Sequence, residues 1–102
     1  FTYVEDLVDG CILASKSLKG INQIFNITNG NARSLLDYAK ILKKYFPNLK
    51  YKIVERDHKR PKRGTLNINK AKRLLKFKPK FNLEKGTEIY VKHYKNQKLT
   101  KN

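Results

Sequence analysis

The 102-residue sequence predicts an α/β fold, mainly helical and small, with two short strands. Three observations point that way. Apolar residues recur at helical spacing in four stretches. Two short runs, "QIFNIT" and "YKIVE", are rich in β-branched and aromatic residues, and turn or charge signals follow them. Six tyrosines and five phenylalanines supply core-forming bulk, although only 39% of residues are hydrophobic.

The first predicted helix covers residues 5–18. Val4, Leu7, Val8, Cys11, Ile12 and Leu18 form its apolar stripe, which makes Cys11 a buried, inert thiol. Glu5 and Asp6 suit its positive N-terminal end, and Gly20 suits the stop. The first strand covers residues 23–28 and closes on the Asn29-Gly30 turn signal. In the second helix Ser34 is the N-cap, Asp37 completes a capping-box pattern, and Pro47 ends the run. Leu35, Leu36, Ala39, Leu42 and Phe46 face inward there. The second strand covers residues 51–55, and a basic loop follows at 58–66. A short helix capped by Asn69 sets Ala71, Leu74 and Leu75 on one side. A last helix, capped by Asn82, carries Leu83, Thr87, Tyr90 and Tyr94. Residues 97–102 read as a frayed polar tail. Two strands cannot make a self-sufficient sheet, so the pattern calls for a missing domain or a second chain.

Charge is the strongest compositional signal. The formal net charge is +16. Residues 1–38 hold four acids and three bases, so the excess lies almost wholly in residues 39–102. Such asymmetry marks either an anionic partner or a lysine-rich bias on solvated helix faces. A single cysteine excludes an intrachain disulfide and a zinc knuckle. No apolar run reaches a membrane span of about 18 residues and no signal-peptide pattern appears, so a cytoplasmic location is expected. The chain starts at Phe1 and contains no methionine, which reads as a piece of something longer.

A search for catalytic groups finds little. His58 and His93 have no metal-ligand spacing. Glu5, Asp6 and Asp9 suit capping of the first helix better than acid–base work. The sequence holds no G-x-G-x-x-G, no P-loop and no nucleophile elbow. The basic stretch "HKRPKRGTLNINKA" is different. Pro61 stiffens it, Gly64 lets it turn, and Arg60 and Arg63 lie beside them. A guanidinium offers planar, bidentate donors that match phosphate oxygens. The loop is therefore either a diphosphate clamp or a solvated connection.

Three segments resemble, in order, those of a known family. "FTYVEDLVDGCILAS", "FNITNGNARSLLDYAKIL" and "RPKRGTLNINKAKRLLKFKPKFNLEKGTEIYVKHY" are similar to the NAD-dependent nucleotide-sugar epimerase/dehydratases, extended short-chain dehydrogenase/reductases. The resemblance spans Phe1 to about Tyr94. It implies that residues 1–96 are the C-terminal, substrate-binding portion of such an enzyme, lacking its Rossmann partner and inactive alone. NAD and the catalytic Y-x-x-x-K pair would belong to the missing N-terminal part, so no cofactor site is expected here. Tyr38 precedes Lys43 at the wrong spacing for that pair.

By the same resemblance Arg60 and Arg63 meet the diphosphate of a nucleotide diphosphate-sugar, and Arg56 is a further candidate. Phe1 and Tyr3 lie near the substrate cleft. Asn67 stands where the family has Asp, Asn69 where it has Ser or Thr, Lys76 where it has Gly, and Phe77 where it has Trp or Tyr. Gly86, inside the last helix, fits close packing against other backbone. Loss of the Rossmann partner would bare apolar surface on the first helix and invite self-association. The alternative is a small basic nucleic-acid-binding module. Against it, the aromatics fall on core stripes rather than on a stacking platform, so no specific nucleic acid and no membrane are expected as partners.

Overall fold

The computed structural model describes residues 1–100. Four α-helices run in chain order: α1 (Val4–Lys16), α2 (Leu35–Tyr45), α3 (Asn69–Leu75) and α4 (Leu83–Thr100). One 3₁₀ turn, Leu18–Gly20, follows α1. Among the described residues there is no strand, so the fold is small and all-helical rather than α/β.

The two expected strands fail for one reason: neither has a partner. Residues 23–28 do alternate as a strand would. Phe25 and Ile27 pack inward, while Ile24 and Asn26 are exposed. The segment reaches across the chain through a side chain, Asn26 Nδ2 donating to the Asn67 carbonyl at 3.2 Å. Residues 51–55 are exposed at every position. Period-two patterning makes a segment sheet-competent, and a ladder still needs a second edge.

The helix signals fare better. Ser34 accepts from the Asp37 N–H and Asp37 accepts from the Ser34 N–H, both at 3.0 Å, which completes the capping box. Asn82 Oδ1 accepts from the Lys85 N–H at 2.8 Å and caps α4. At α3 the expected cap, Asn69, is already helical; the N-cap position is Ile68, which makes no side-chain cap bond, and Asn67 Oδ1 accepts from the Asn69 N–H at 2.8 Å just ahead of the helix. Lys76 takes the left-handed conformation (φ 59°) that a glycine would adopt more easily, and ends α3. α4 continues through Thr100, into the segment expected to be tail; residues 101 and 102 lie outside the described residues.

The core is small. Ile68, Ala71, Leu75 and Phe77 form its centre, and Leu13, Ala14, Phe25 and Ile27 pack on them. α1 thus faces α3 through its Leu13 and Ala14 side, and its Val4–Ile12 stripe is left exposed. Cys11, on that stripe, is exposed, not buried. α2 and α4 form a second pair, with Ile41 and Val91 buried. Of the residues expected inward on α2, Leu36, Ala39, Leu42 and Phe46 are half-buried and Leu35 is exposed, while the buried residue, Ile41, was not among them.

Asp6 ties the two pairs together. Its fully buried carboxylate accepts from the Lys80 N–H (2.9 Å) and the Phe81 N–H (3.0 Å), in the link between α3 and α4. The whole is a slab of 49 × 41 × 18 Å, about two helix layers at its thinnest.

Candidate functional site

A cleft of about 610 Å³ opens on one side of the slab. Three pieces of chain meet there: the N-terminal Phe1 and Thr2, the turn from Thr28 to Arg33, and Arg63 to Leu66 of the basic loop. The Asn29-Gly30 turn read from the sequence forms one wall. Gly30 takes φ +80°, and a Cβ there would lie 2.9 Å from Ile68 Cδ1, so a side chain would strain the backbone and push on Ile68.

Three hydrogen bonds hold the walls. The Gly30 N–H donates to Thr28 Oγ1 and the Ala32 N–H to Thr65 Oγ1, each at 3.1 Å. Asn29 Nδ2 donates to the Phe81 carbonyl at 3.0 Å. The Thr65 bond pins the basic loop to the turn, and the Asn29 bond pins the turn to the segment that Asp6 grips. Each threonine hydroxyl already accepts from a backbone N–H, so its own O–H remains a donor. No carboxylate lines the cleft among the described residues. The lining thus suits an anion.

Two arginines line this cleft, and they are not equivalent. Arg33 forms a bidentate pair with Glu84, NH1 to Oε2 at 3.0 Å and NH2 to Oε1 at 2.6 Å. Its Nε lies 3.6 Å from Asp37 Oδ2. Two carboxylates compensate its charge, and it serves as a strut from the start of α2 to the first turn of α4. The Arg33 hydrogen bonds hold the Glu84 carboxyl below the usual carboxylate range. The Ser34 N–H and then its side chain do the same for Asp37, with Arg33 adding to the effect. Arg63 has no ion-pair or hydrogen-bond partner among the described residues and is exposed, so its charge is available to a ligand.

The other expected contacts lie elsewhere. Arg56 donates to the Arg60 carbonyl at 2.9 Å, and Arg60 Nε sits 3.8 Å from Asp57 Oδ2. Both shape the exposed loop, and neither lines the cleft. Tyr3 lines an adjoining hollow of about 180 Å³, which shares Phe1 and Thr2 with the cleft. Its ring lies 4.5 Å from that of Phe81, and a Cβ on Gly86 would come 3.2 Å from its Cδ2. Gly86 is therefore the gap in α4 that seats Tyr3. Phe1 stands between the two concavities, half exposed, 5.2 Å from the Tyr38 ring.

The residues missed in the sequence are Thr28, Thr65 and Arg33. The Arg33/Asp37 spacing was a visible i, i+4 signal. The pairing of Thr65 with Ala32 crosses 33 residues and has no local signature. His58 is exposed, 3.9 Å from Glu55, and no cluster able to hold a metal ion occurs among the described residues.

Comparison with known proteins finds two distant likenesses. The chain is 29% identical over 100 residues to an uncharacterized protein of Methanocaldococcus jannaschii, covering 96% of this chain and 30% of that protein. It is 28% identical over 111 residues to UDP-glucuronate 4-epimerase 4 of Arabidopsis thaliana, covering 92% of this chain and 25% of the enzyme. The chain thus spans about a quarter to a third of the length of the curated relatives it matches. No family model matches, and no solved structure matches.

Proposed function

We propose that this chain is the nucleotide diphosphate-sugar-binding portion of an NAD-dependent epimerase/dehydratase, with Arg63 as its diphosphate ligand. The observation that carries this reading is the uncompensated Arg63 guanidinium in a cleft without carboxylates. The similarity to a UDP-glucuronate 4-epimerase supports it. Thr28 and Thr65 supply hydroxyl donors, Phe1 an apolar edge, and Tyr3 the wall of the neighbouring hollow. Arg60 and Arg56 set the course of the loop that delivers Arg63.

The described residues do not fit NAD. They contain no glycine-rich phosphate loop opening a helix; Tyr94 and Lys98 do stand at Y-x-x-x-K spacing in α4, but neither lines the cleft and the Tyr94 ring packs edge-on against Phe46, so no redox step is derived from them. In this reading the NAD site and the catalytic pair belong to a Rossmann domain in the rest of the protein, in the cytoplasm, and these 102 residues bind without catalysing. Substrate binding here requires no proton transfer from the chain.

The test is calorimetric titration of the chain with UDP-glucuronate as probe. Arg63→Ala should weaken binding about 10- to 100-fold, the equivalent of ~1.5–3 kcal/mol for a charge-assisted contact. Lys62→Ala, which removes the same charge one residue from the cleft lining, should change it less than threefold (roughly the worth of an exposed charge). Equal losses would reduce the site to generic cationic attraction. In that case tight duplex DNA binding with a steep salt dependence would favour a nucleic-acid module.

A further inference from the structure

The hollow beside the cleft is walled by aromatic rings. Phe1, Tyr3, Tyr38 and Tyr90 line its roughly 180 Å³. Three of them have ring partners. Tyr3 lies 4.5 Å from the Phe81 ring, and Phe1 and Tyr38 tilt against each other at 5.2 Å. Tyr90 differs. It is 62% exposed, and among the described residues no ring packs on it and no cation sits over it. Helical spacing sets Tyr90 on the same face of α4 as Gly86 and Thr87, which also line the hollow. An exposed ring without a partner keeps a π-face for a flat ligand.

Two polar groups complete the lining. Asn82 Oδ1 is held by the Lys85 N–H at 2.8 Å, so its NH₂ remains a donor. Thr87 is buried and donates its own hydrogen to the Leu83 carbonyl at 2.6 Å, so its oxygen remains an acceptor. A nucleobase offers what such a lining uses: two faces that stack, and an edge that carries donors and acceptors side by side. The reading of the cleft also orients the ligand. The sugar is the part that reacts, and in that reading NAD lies in the rest of the protein. The sugar therefore points away from these residues, and the nucleoside is the part left beside Arg63. The hollow shares Phe1 and Thr2 with the cleft, so a single ligand can reach from one into the other.

We propose that the hollow is a nucleobase subsite, in which the base stacks on Tyr90 with its edge toward Asn82 and Thr87 while Arg63 holds the diphosphate. This rests on the reading of the cleft and deepens it. What these 102 residues recognise is then the nucleotide, with the sugar left to the rest of the protein. Tyr90 becomes the residue that sets how tightly the nucleotide is held, apart from its charge.

Calorimetric titration of the chain at ~150 mM salt, where generic attraction is screened, tests this with three probes. They are UDP-glucuronate, UDP, and ribose 5-diphosphate, which keeps the charge of UDP and lacks the base. UDP should bind within about threefold of UDP-glucuronate, and ribose 5-diphosphate about tenfold more weakly than UDP, the loss of one stacked base. Tyr90→Ala, at an exposed position, should weaken UDP about tenfold and leave ribose 5-diphosphate within about twofold, which also shows that the variant keeps its fold. Tyr90→Phe, which keeps the ring, should bind UDP as the parent chain does. Tyr51→Ala, an exposed tyrosine outside both concavities, should change neither probe. UDP bound tenfold or more weakly than UDP-glucuronate would give the recognition to the sugar and overturn the proposal. So would Tyr90→Ala that weakens UDP and ribose 5-diphosphate equally, or weakens neither. If Arg63→Ala still weakens all three probes, those outcomes overturn the base subsite alone. Should Arg63→Ala leave every probe unchanged, the reading of the cleft fails and the base subsite fails with it.

Discussion

Asp6 and Arg63 show two opposite fates of a charged side chain. Arg63 stays exposed and free, while Asp6 is fully buried and spoken for by two backbone N–H groups 74 and 75 residues away. Those bonds satisfy donors in the α3–α4 link that no helix or sheet would otherwise use. Asparagine at this position can accept one of them, but its NH₂ would face the other donor. Asp6→Asn should therefore destabilise the chain by roughly 2–4 kcal/mol in urea unfolding. A loss under ~0.5 kcal/mol, typical of a surface change, would mean the latch is dispensable. In the sequence Asp6 looked like its neighbours Glu5 and Asp9, one of three acids at a helix start. Nothing local distinguishes it, because its partners are set by tertiary packing.

At the scale of elements, the helices were legible and the sheet was not. Capping boxes and apolar periodicity act within a few residues, so "RSLLD" already specifies the start of α2. A strand is specified by its neighbour, and the runs at 23–28 and 51–55 found none. Burial on α1 was misread for a related reason: periodicity shows that a stripe exists, not whether anything covers it. In the site, the Asn29-Gly30 turn and Arg63 were readable from sequence, and the Thr28, Thr65 and Arg33 contributions depended on long-range contacts.

One such contact, the Arg33–Glu84 strut, gives α2 and α4 a pH dependence. Glu84 and Asp37 both titrate lower in the folded chain, the first chiefly through its bonds from Arg33, the second chiefly through the Ser34 N–H. Their stabilisation is complete above the unfolded carboxylate range near roughly pH 4, and is lost as pH falls through the lower folded values. The melting temperature should fall through that acid window, and Glu84→Gln should flatten part of the fall. An unchanged acid limb in the variant would remove the strut from the account.

The whole molecule is open for its length. Its radius of gyration is 17.0 Å, against about 13 Å for a compact chain of 100 residues. A slab with a small core and sixteen surplus positive charges has two weaknesses, little buried apolar surface and strong self-repulsion. The repulsion is long-range: most of the surplus lies beyond residue 38, spread over the exposed loop at 51–67 and the outer faces of α3 and α4. At ~20 mM salt the Debye length is about 20 Å, comparable to the slab's thickness, and at ~300 mM it is below 8 Å. Adding sodium chloride over that range should therefore raise the melting temperature by several degrees. The opposing effect, screening of the exposed Lys92–Glu88 and Arg60–Asp57 pairs, is worth at most about 1 kcal/mol each and usually less. A melting temperature that falls with salt would show that local pairs outweigh the net charge, and that the lysine excess does not strain the fold.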